Sequence, residues 1–121
     1  MATIKNFEEL DIWKNARIVT KQVYIDFRSI RDFGYKDQIQ RASLSIMNNI
    51  AEGFCRQTKR EMINFCNFAK GSAGEVKNMY YVAEDLGYLS TNECNERRYA
   101  IQKLMNGISG FMHYLANDNS R

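Results

Sequence analysis

The segment Gln38–Gly53, QIQRASLSIMNNIAEG, constrains the fold more tightly than any other part of the chain. At about 100° per residue, Ile39, Ala42, Ile46 and Ile50 collect on one face of a helix, and Gln38, Arg41, Ser45, Asn49 and Glu52 form a wholly polar stripe beside them. A helix that merely covers a core needs only a charged back. An apolar stripe edged by amide, guanidinium, hydroxyl and carboxylate groups predicts a hydrogen-bonded seam with a neighbouring helix. No segment shows the sustained alternation of a half-buried strand.

Four segments, that one included, carry the helical period. The first runs over about residues 7–30, with Ile12, Trp13, Ala16, Val19, Val23, Tyr24, Phe27 and Ile30 in one arc, and Arg31-Asp32-Phe33-Gly34 ends it. The second covers about 35–54, with Gly53 as its stop signal. The third, about 58–86, opens on a Thr58/Glu61 capping box and turns Phe65, Phe68, Ala69, Ser72, Val76, Met79, Ala83 and Leu86 inward, with Gly87 as its stop. The fourth, about 91–116, opens on a Ser90/Glu93 box and presents Ile101, Leu104, Met105, Ile108, Phe111 and Leu115. The polar tail, 117–121, is expected to fray. Gly107 and Gly110 permit either close packing or a kink. The chain holds no proline, which favours long unbroken helices.

Short connections make sequential helices antiparallel neighbours, so the predicted fold is all-α, an antiparallel up-down-up-down four-helix bundle in one domain over residues 1–121. Across the tight turn at Cys55–Gln57, facing residue numbers on the second and third helices should sum to about 113. That register places Glu52 near Glu61, Asn49 near Asn64, and Arg41 near Ser72 and Glu75. Glu75 falls within the inner arc, where an unpaired carboxylate is costly, so Gln38, Arg41 or both are expected to bond it. Gln38, Arg41, Asn49, Glu52 and Glu75 are therefore assigned to architecture.

A chain of 121 residues with 45% hydrophobic content is long enough for a core without disulfides or metal. Cys55, Cys66 and Cys94 lack metal-ligand spacing and read as reduced thiols in a cytoplasmic protein. The N-terminus lacks a signal-peptide layout, and no apolar run approaches membrane-spanning length. Glu52, Glu61 and Glu75 invite comparison with di-metal bundles, but those use Glu-x-x-His pairs, and His113 is the sole histidine. No phosphate loop or nucleophile–base set is present. The expectation is a protein that is not an enzyme and uses neither metal nor cofactor.

The basic residues are more informative. Lys14, Arg17, Lys21 and Arg28 fall within about 60° of one another at the helical period, a stripe able to grip phosphates through counterion release. Lys59, Lys70 and Lys77 line the outer side of the third helix similarly, although soluble helices carry such faces routinely. The net charge of +3 permits an anionic partner without demanding one. Few aromatic residues are interleaved with the stripe, so base stacking is not favoured. Ile18 and Ile25, seven apart beside the stripe, predict an oligomer interface, against the plainer reading of scattered surface isoleucines.

Phe7-Glu8-Glu9-Leu10 with Trp13 and Ala16, then Gln38, Arg41-Ala42, Ser45-Ile46 and Asn49-Ile50-Ala51-Glu52-Gly53, resemble the signature of the four-helix bundle proteins named for 23S rRNA intervening sequences. Phe65, Ala69, Gly71-Ser72, Glu75 and Gly87-Tyr88-Leu89 continue the match over nearly the whole chain. Met47 stands where many relatives have proline. The resemblance implies a homopentameric barrel of bundles with a positive surface and no recognised catalysis. The family is also similar to the accessory variability protein of diversity-generating retroelements, a basic pentamer that works with a reverse transcriptase and nucleic acid. The expected activity is binding of RNA or DNA, centred on Arg17 and Lys21. The alternative is a protein scaffold or adaptor, for example to a polymerase.

Overall fold

The computed structural model describes residues 4–118, which form four helices and no strand. A 3₁₀ turn, Phe7–Glu9, leads into α1 (Asp11–Asp26), then α2 (Phe33–Phe54), α3 (Lys59–Asp85) and α4 (Thr91–Asn117).

Side-chain bonds fix how the helices run. Gln38 Nε2 donates to Glu75 Oε2 at 3.2 Å, and the Ser45 and Ser72 hydroxyls meet at 2.8 Å. As numbers rise along α2 they fall along α3. The same holds between α3 and α4, where Lys77 Nζ reaches Gln102 Oε1 at 2.6 Å and Arg98 reaches the Tyr80 carbonyl at 3.3 Å. Thr20 Oγ1 donates to the Ser43 carbonyl at 3.1 Å, and Lys36 Nζ to the Arg28 carbonyl at 2.9 Å, setting α1 against α2. Arg97 meets Asp26 at 2.8 Å across α4 and α1. The bundle is up-down-up-down, as the short connections predict.

One core joins the four helices. Val23 and Phe27, Ile39, Ile46 and Ile50, Cys66, Ala73 and Val76, and Ile101 and Ile108 are at most 1% exposed. Burying each aliphatic side chain of this size contributes roughly 1.5–3 kcal/mol.

Several element ends differ from the sequence expectation. The first helix does not run 7–30. Leu10 is extended and buried, separating the 3₁₀ turn from α1, and the Asn6/Glu9 capping box holds that turn. At the other end Phe27 leaves helical geometry, and Asp32 caps α2 by accepting the Tyr35 N–H at 3.2 Å. An aspartate satisfies an orphan N–H better than it continues a helix. Gly34 consequently lies inside α2 rather than in a break. Gly53 is not a stop signal: it is buried in the last turn of α2, where an added Cβ would lie 2.7 Å from Phe65 Cβ. Gly87 does terminate a helix, with φ +73; its N–H bonds Glu84 O at 3.1 Å, and Tyr88 N–H bonds Ala83 O at 2.8 Å.

The Ser90/Glu93 capping box is complete. At Thr58 only half forms: its hydroxyl accepts from Glu61 N–H, while the Glu61 carboxylate accepts from that hydroxyl instead of from the backbone N–H of Thr58. The inner face of α3 is rotated toward α4, so Met62, Cys66, Ala73 and Tyr80 are buried, whereas Phe68 and Leu86 stand in solvent. Tyr24 is likewise part exposed. Gly107 packs beside Ile12 Cγ2, 3.5 Å from where a Cβ would sit, and α4 is unbroken through both glycines. Within the expected frayed tail, Asn117 closes α4 and Asp118 pairs with Lys59 at 3.1 Å; residues 119–121 lie outside the described residues.

Candidate nucleic-acid interface

The α2–α3 seam forms, but its membership differs from the expected set. Gln38 bonds Glu75, and Asn49 Nδ2 donates to the Ser45 carbonyl at 2.8 Å and hydroxyl at 3.0 Å, beside Ser72. Arg41 takes no part. It pairs at 2.8 Å with Asp37, one turn back on its own helix, and its side chain is 78% exposed. The nearer carboxylate wins because an i,i+4 pair requires no reach across the seam. Glu75 lies on the exposed rim of α3, not in its inner arc. Glu52 does approach Glu61, because Arg56 bridges them at 2.7 Å and 3.9 Å and covers the Phe65 ring.

The basic stripe survives on α1 in part. Lys14, Arg17 and Lys21 are exposed on one helical edge, with the Arg17 guanidinium 5.7 Å from the Trp13 ring centroid. Arg28 lies beyond the end of α1, in the turn, so the helical period does not place it on the stripe. The turn nevertheless keeps it beside α2, through the bond from Lys36 to its carbonyl. Lys59, Lys70 and Lys77 do not form an outward stripe: all three are half-buried, with Lys77 bonding the Gln102 side-chain carbonyl oxygen and Lys59 pairing with Asp118, both on or after α4.

Around that turn stand residues that the sequence reading did not single out. Arg31 is exposed, Phe33 is 68% exposed at the first position of α2, and Lys36 Nζ lies 5.9 Å from its ring centroid. Phe33, Lys36, Gln40 and Leu44 share one edge of α2 at the helical period. The Lys36–Arg28 and Thr20–Ser43 bonds show that this edge borders α1. Tyr24 and Trp13 belong to the matching edge of α1, four and seven residues from Thr20. The aromatic interleaving missing along α1 is thus supplied partly from a different helix. Among the described residues, Lys14, Arg17, Lys21, Arg28 and Arg31 have no ion-pair partner. The acid nearest this turn in sequence, Asp32, is exposed but already engaged by hydrogen bonds. It accepts the Tyr88 hydroxyl at 2.6 Å and the Tyr35 N–H, bonds that hold its carboxyl below the usual range and raise the Tyr88 phenol.

Behind this edge the bundle end is locked by polar groups the sequence reading also passed over. Asp26, its side chain 4% exposed, accepts from Arg97 Nε at 2.8 Å and Nη2 at 3.1 Å, Tyr80 Oη at 2.8 Å and Gln22 Nε2 at 2.8 Å. Arg98 is buried, pairing with Glu84 at 2.8 Å and lying 4.0 Å over the Tyr81 ring. The Tyr35 hydroxyl donates to the Met79 carbonyl at 2.6 Å. Burial pushes the Tyr35 and Tyr80 phenols far up, and the Cys66 thiol up to about 12. These groups hold the fold and offer no acid–base pair. Among the described residues no three His, Cys, Asp or Glu side chains converge to hold a metal ion, and no helix is long and apolar enough to cross a membrane. His113 is exposed and accepts at its carbonyl from Asn117.

Ile18 and Ile25 are 66% and 44% exposed. Ile18 forms one lip of a shallow, largely apolar furrow between α1 and α4, floored by Val19, Ile101 and Leu104, with Ala100, Glu96, Arg97 and Lys103 also lining it.

Comparison with known proteins places this geometry. A crystal structure of a protein of unknown function from the S23 ribosomal protein family of Bacteroides thetaiotaomicron VPI-5482 is similar, with TM-score 0.78 and 17% identity over 84% of this chain and 97% of that one. At that identity the likeness shows the fold alone. No curated protein matches the chain. The family model described as 23S rRNA-intervening sequence protein spans residues 8–110, including the α2–α3 seam and the whole α1–α2 edge, and the chain belongs to that family.

Proposed function

We propose that this protein is a non-enzymatic, oligomeric nucleic-acid-binding bundle whose contacts are made to backbone phosphates by the exposed edge of α1. The observation that carries the reading is the group Lys14, Arg17 and Lys21, exposed together and lacking carboxylate partners among the described residues. Unpaired cations on a rigid helix meet phosphates at little reorganisation cost, and each contact releases counterions. Arg17 and Lys21 are the central contacts. Arg28 flanks them from the turn.

Self-association strengthens the field. Ile18 and Ile25 leave apolar surface beside the cations, and the α1–α4 furrow offers a second copy an apolar seat. In a ring, taken as five from the family resemblance, the +3 of each chain would be repeated around a continuous surface. The family's name supports RNA as the nucleic acid.

The decisive experiment is RNA retardation by the purified protein across a salt series. A steep fall of affinity with salt is expected, abolished in Lys14→Glu/Arg17→Glu/Lys21→Glu while light scattering still shows the wild-type oligomer. Negligible affinity at low salt would replace this reading with that of a protein adaptor, a role the exposed Ile18 and Ile25 also suit. A monomer at micromolar concentration would remove the ring.

A further inference from the structure

We infer that the α1–α2 edge takes single-stranded nucleic acid, with Lys14, Arg17, Lys21, Arg28 and Arg31 along its phosphates and the Phe33 ring stacked on an unpaired base. The inference rests on the nucleic-acid reading of α1 and deepens it, since that reading alone is indifferent to strandedness.

Phe33 is 68% exposed, and it opens a helix whose buried face is carried by Tyr35, Ile39, Ala42 and Ile46. Nothing in the packing of α2 calls for an aromatic ring there. A lone exposed apolar residue would pass without comment. This one sits among cations: Arg28 and Arg31 precede it in the turn, and Lys36 lies 5.9 Å from its centroid. Its position is also held firmly. Lys36 Nζ bonds the Arg28 carbonyl, Asp32 caps the helix that Phe33 opens, and Tyr88 anchors Asp32. An exposed ring carried on a fixed backbone beside phosphate-binding cations is the arrangement by which single strands are gripped without base readout.

Geometry excludes the duplex from the same contact. In a double helix the base faces are stacked on their neighbours, and a side chain reaches only their edges. Lys14 to Lys21 spans about 10 Å of α1 at 1.5 Å per residue, and the turn that follows the helix carries Arg28 and Arg31 on toward Phe33. The cations and the ring therefore fit one short strand running along α1 and over the turn.

The test is fluorescence anisotropy with labelled dodecauridine and, separately, a labelled 12-base-pair RNA duplex, both at low salt. Phe33→Ala should weaken dodecauridine binding by about 5- to 150-fold, the range for loss of one stacked base. It should leave duplex binding and the salt slope of either unchanged. Phe33→Trp should restore the single-strand affinity. Arg28→Glu/Arg31→Glu should instead lower the salt slope. If Phe33→Ala binds dodecauridine within twofold of wild type while the Lys14/Arg17/Lys21 reversal abolishes binding, stacking is overturned and the phosphate reading stands. If wild type binds neither oligonucleotide, both fall. An unchanged thermal melt of Phe33→Ala confirms that any loss is a loss of contact, because this ring lies outside the core.

Discussion

Two glycines of the same bundle should respond in opposite directions to the same substitution. Gly53 lies in the last turn of α2 where α3 crosses it, and a methyl there would meet Phe65 Cβ at 2.7 Å, Met62 Sδ at 3.0 Å and Met62 Cα at 3.5 Å. Carbon atoms in contact prefer about 3.5–4.0 Å, so the helices would have to part by nearly 1 Å. The obstructing Cβ is attached directly to the α3 backbone and has no rotamer by which to escape. Overpacking costs about 1–3 kcal/mol, and a rigid obstacle puts Gly53→Ala near the top of that range. Replacing helical glycine by alanine returns up to about 1 kcal/mol, leaving a net loss of about 2 kcal/mol. Gly71, inside α3, has nothing within 4 Å of its would-be Cβ. Gly71→Ala should gain the full helical term of up to about 1 kcal/mol. At about 3–5 °C for each kcal/mol in a chain of this length, circular-dichroism melts should show Gly53→Ala lower by about 6–10 °C and Gly71→Ala higher by a few degrees. If Gly53→Ala melts at or above wild type while Gly71→Ala rises as expected, the close approach of α2 and α3 is not as described.

Other perturbations have equally definite outcomes. Asp26→Ala strips Arg97, Tyr80 and Gln22 of their shared acceptor, and urea denaturation should show a loss of about 3–5 kcal/mol; a loss under 1 kcal/mol would mean the cluster is not a lock. The Tyr35 and Tyr80 phenols have raised values in the fold. Their stabilisation is therefore full below the ordinary tyrosine value, about 10, and falls as pH climbs above it. In a phenolate absorbance titration of the seven tyrosines, these two should ionise only together with unfolding, and Tyr35→Phe should flatten the alkaline decline in stability. Cys55 is exposed while Cys66 and Cys94 are buried with raised thiols. A thiol-reactive dye should label Cys55 alone in the native protein and all three cysteines in denaturant.

What the sequence made legible follows from what the helical period can specify. The period says which residues share a face, so Ile39, Ala42, Ile46 and Ile50 were identified as core and all are buried. It says less about where that face points when a helix has two neighbours. On α3 the buried arc turned toward α4, leaving Phe68 in solvent and taking in Tyr80. Capping residues mark ends well when their bonds are local, as at Ser90 and Glu93. Glycine is ambiguous, since Gly87 supplies a positive φ and Gly53 supplies room. The seam was visible from Gln38, Ser45 and Asn49, whereas Arg41 was lost to Asp37, a competitor present in the sequence at i−4. Phe33 and Lys36 were missed because they join the α1 cations only through the turn. The antiparallel register of the first two helices, which brings Lys36 opposite Arg28, was the available signal. A carboxylate at Asp26, between Val23 and Phe27 of the apolar arc, similarly pointed to a buried partner.

The net charge of +3 understates the local field, because pairing removes cations unevenly. Arg41, Arg56, Lys59, Arg97 and Arg98 are each neutralised by a carboxylate, and all lie on or between α2, α3 and α4. The cations of α1 and its turn keep their charge. Potential near a surface follows this local arrangement more than the total, which predicts that position matters more than charge count. Lys21→Glu and Arg60→Glu alter the net charge by the same amount. Arg60 is exposed at the start of α3 and has no ion pair among the described residues, so its reversal is as free of structural cost as that of Lys21. Lys21→Glu should lower the salt slope of RNA binding by about 1, and Arg60→Glu should leave it unchanged. Equal effects from the two would mean that RNA senses the total charge of the particle, and the α1 edge would lose its claim to be a site.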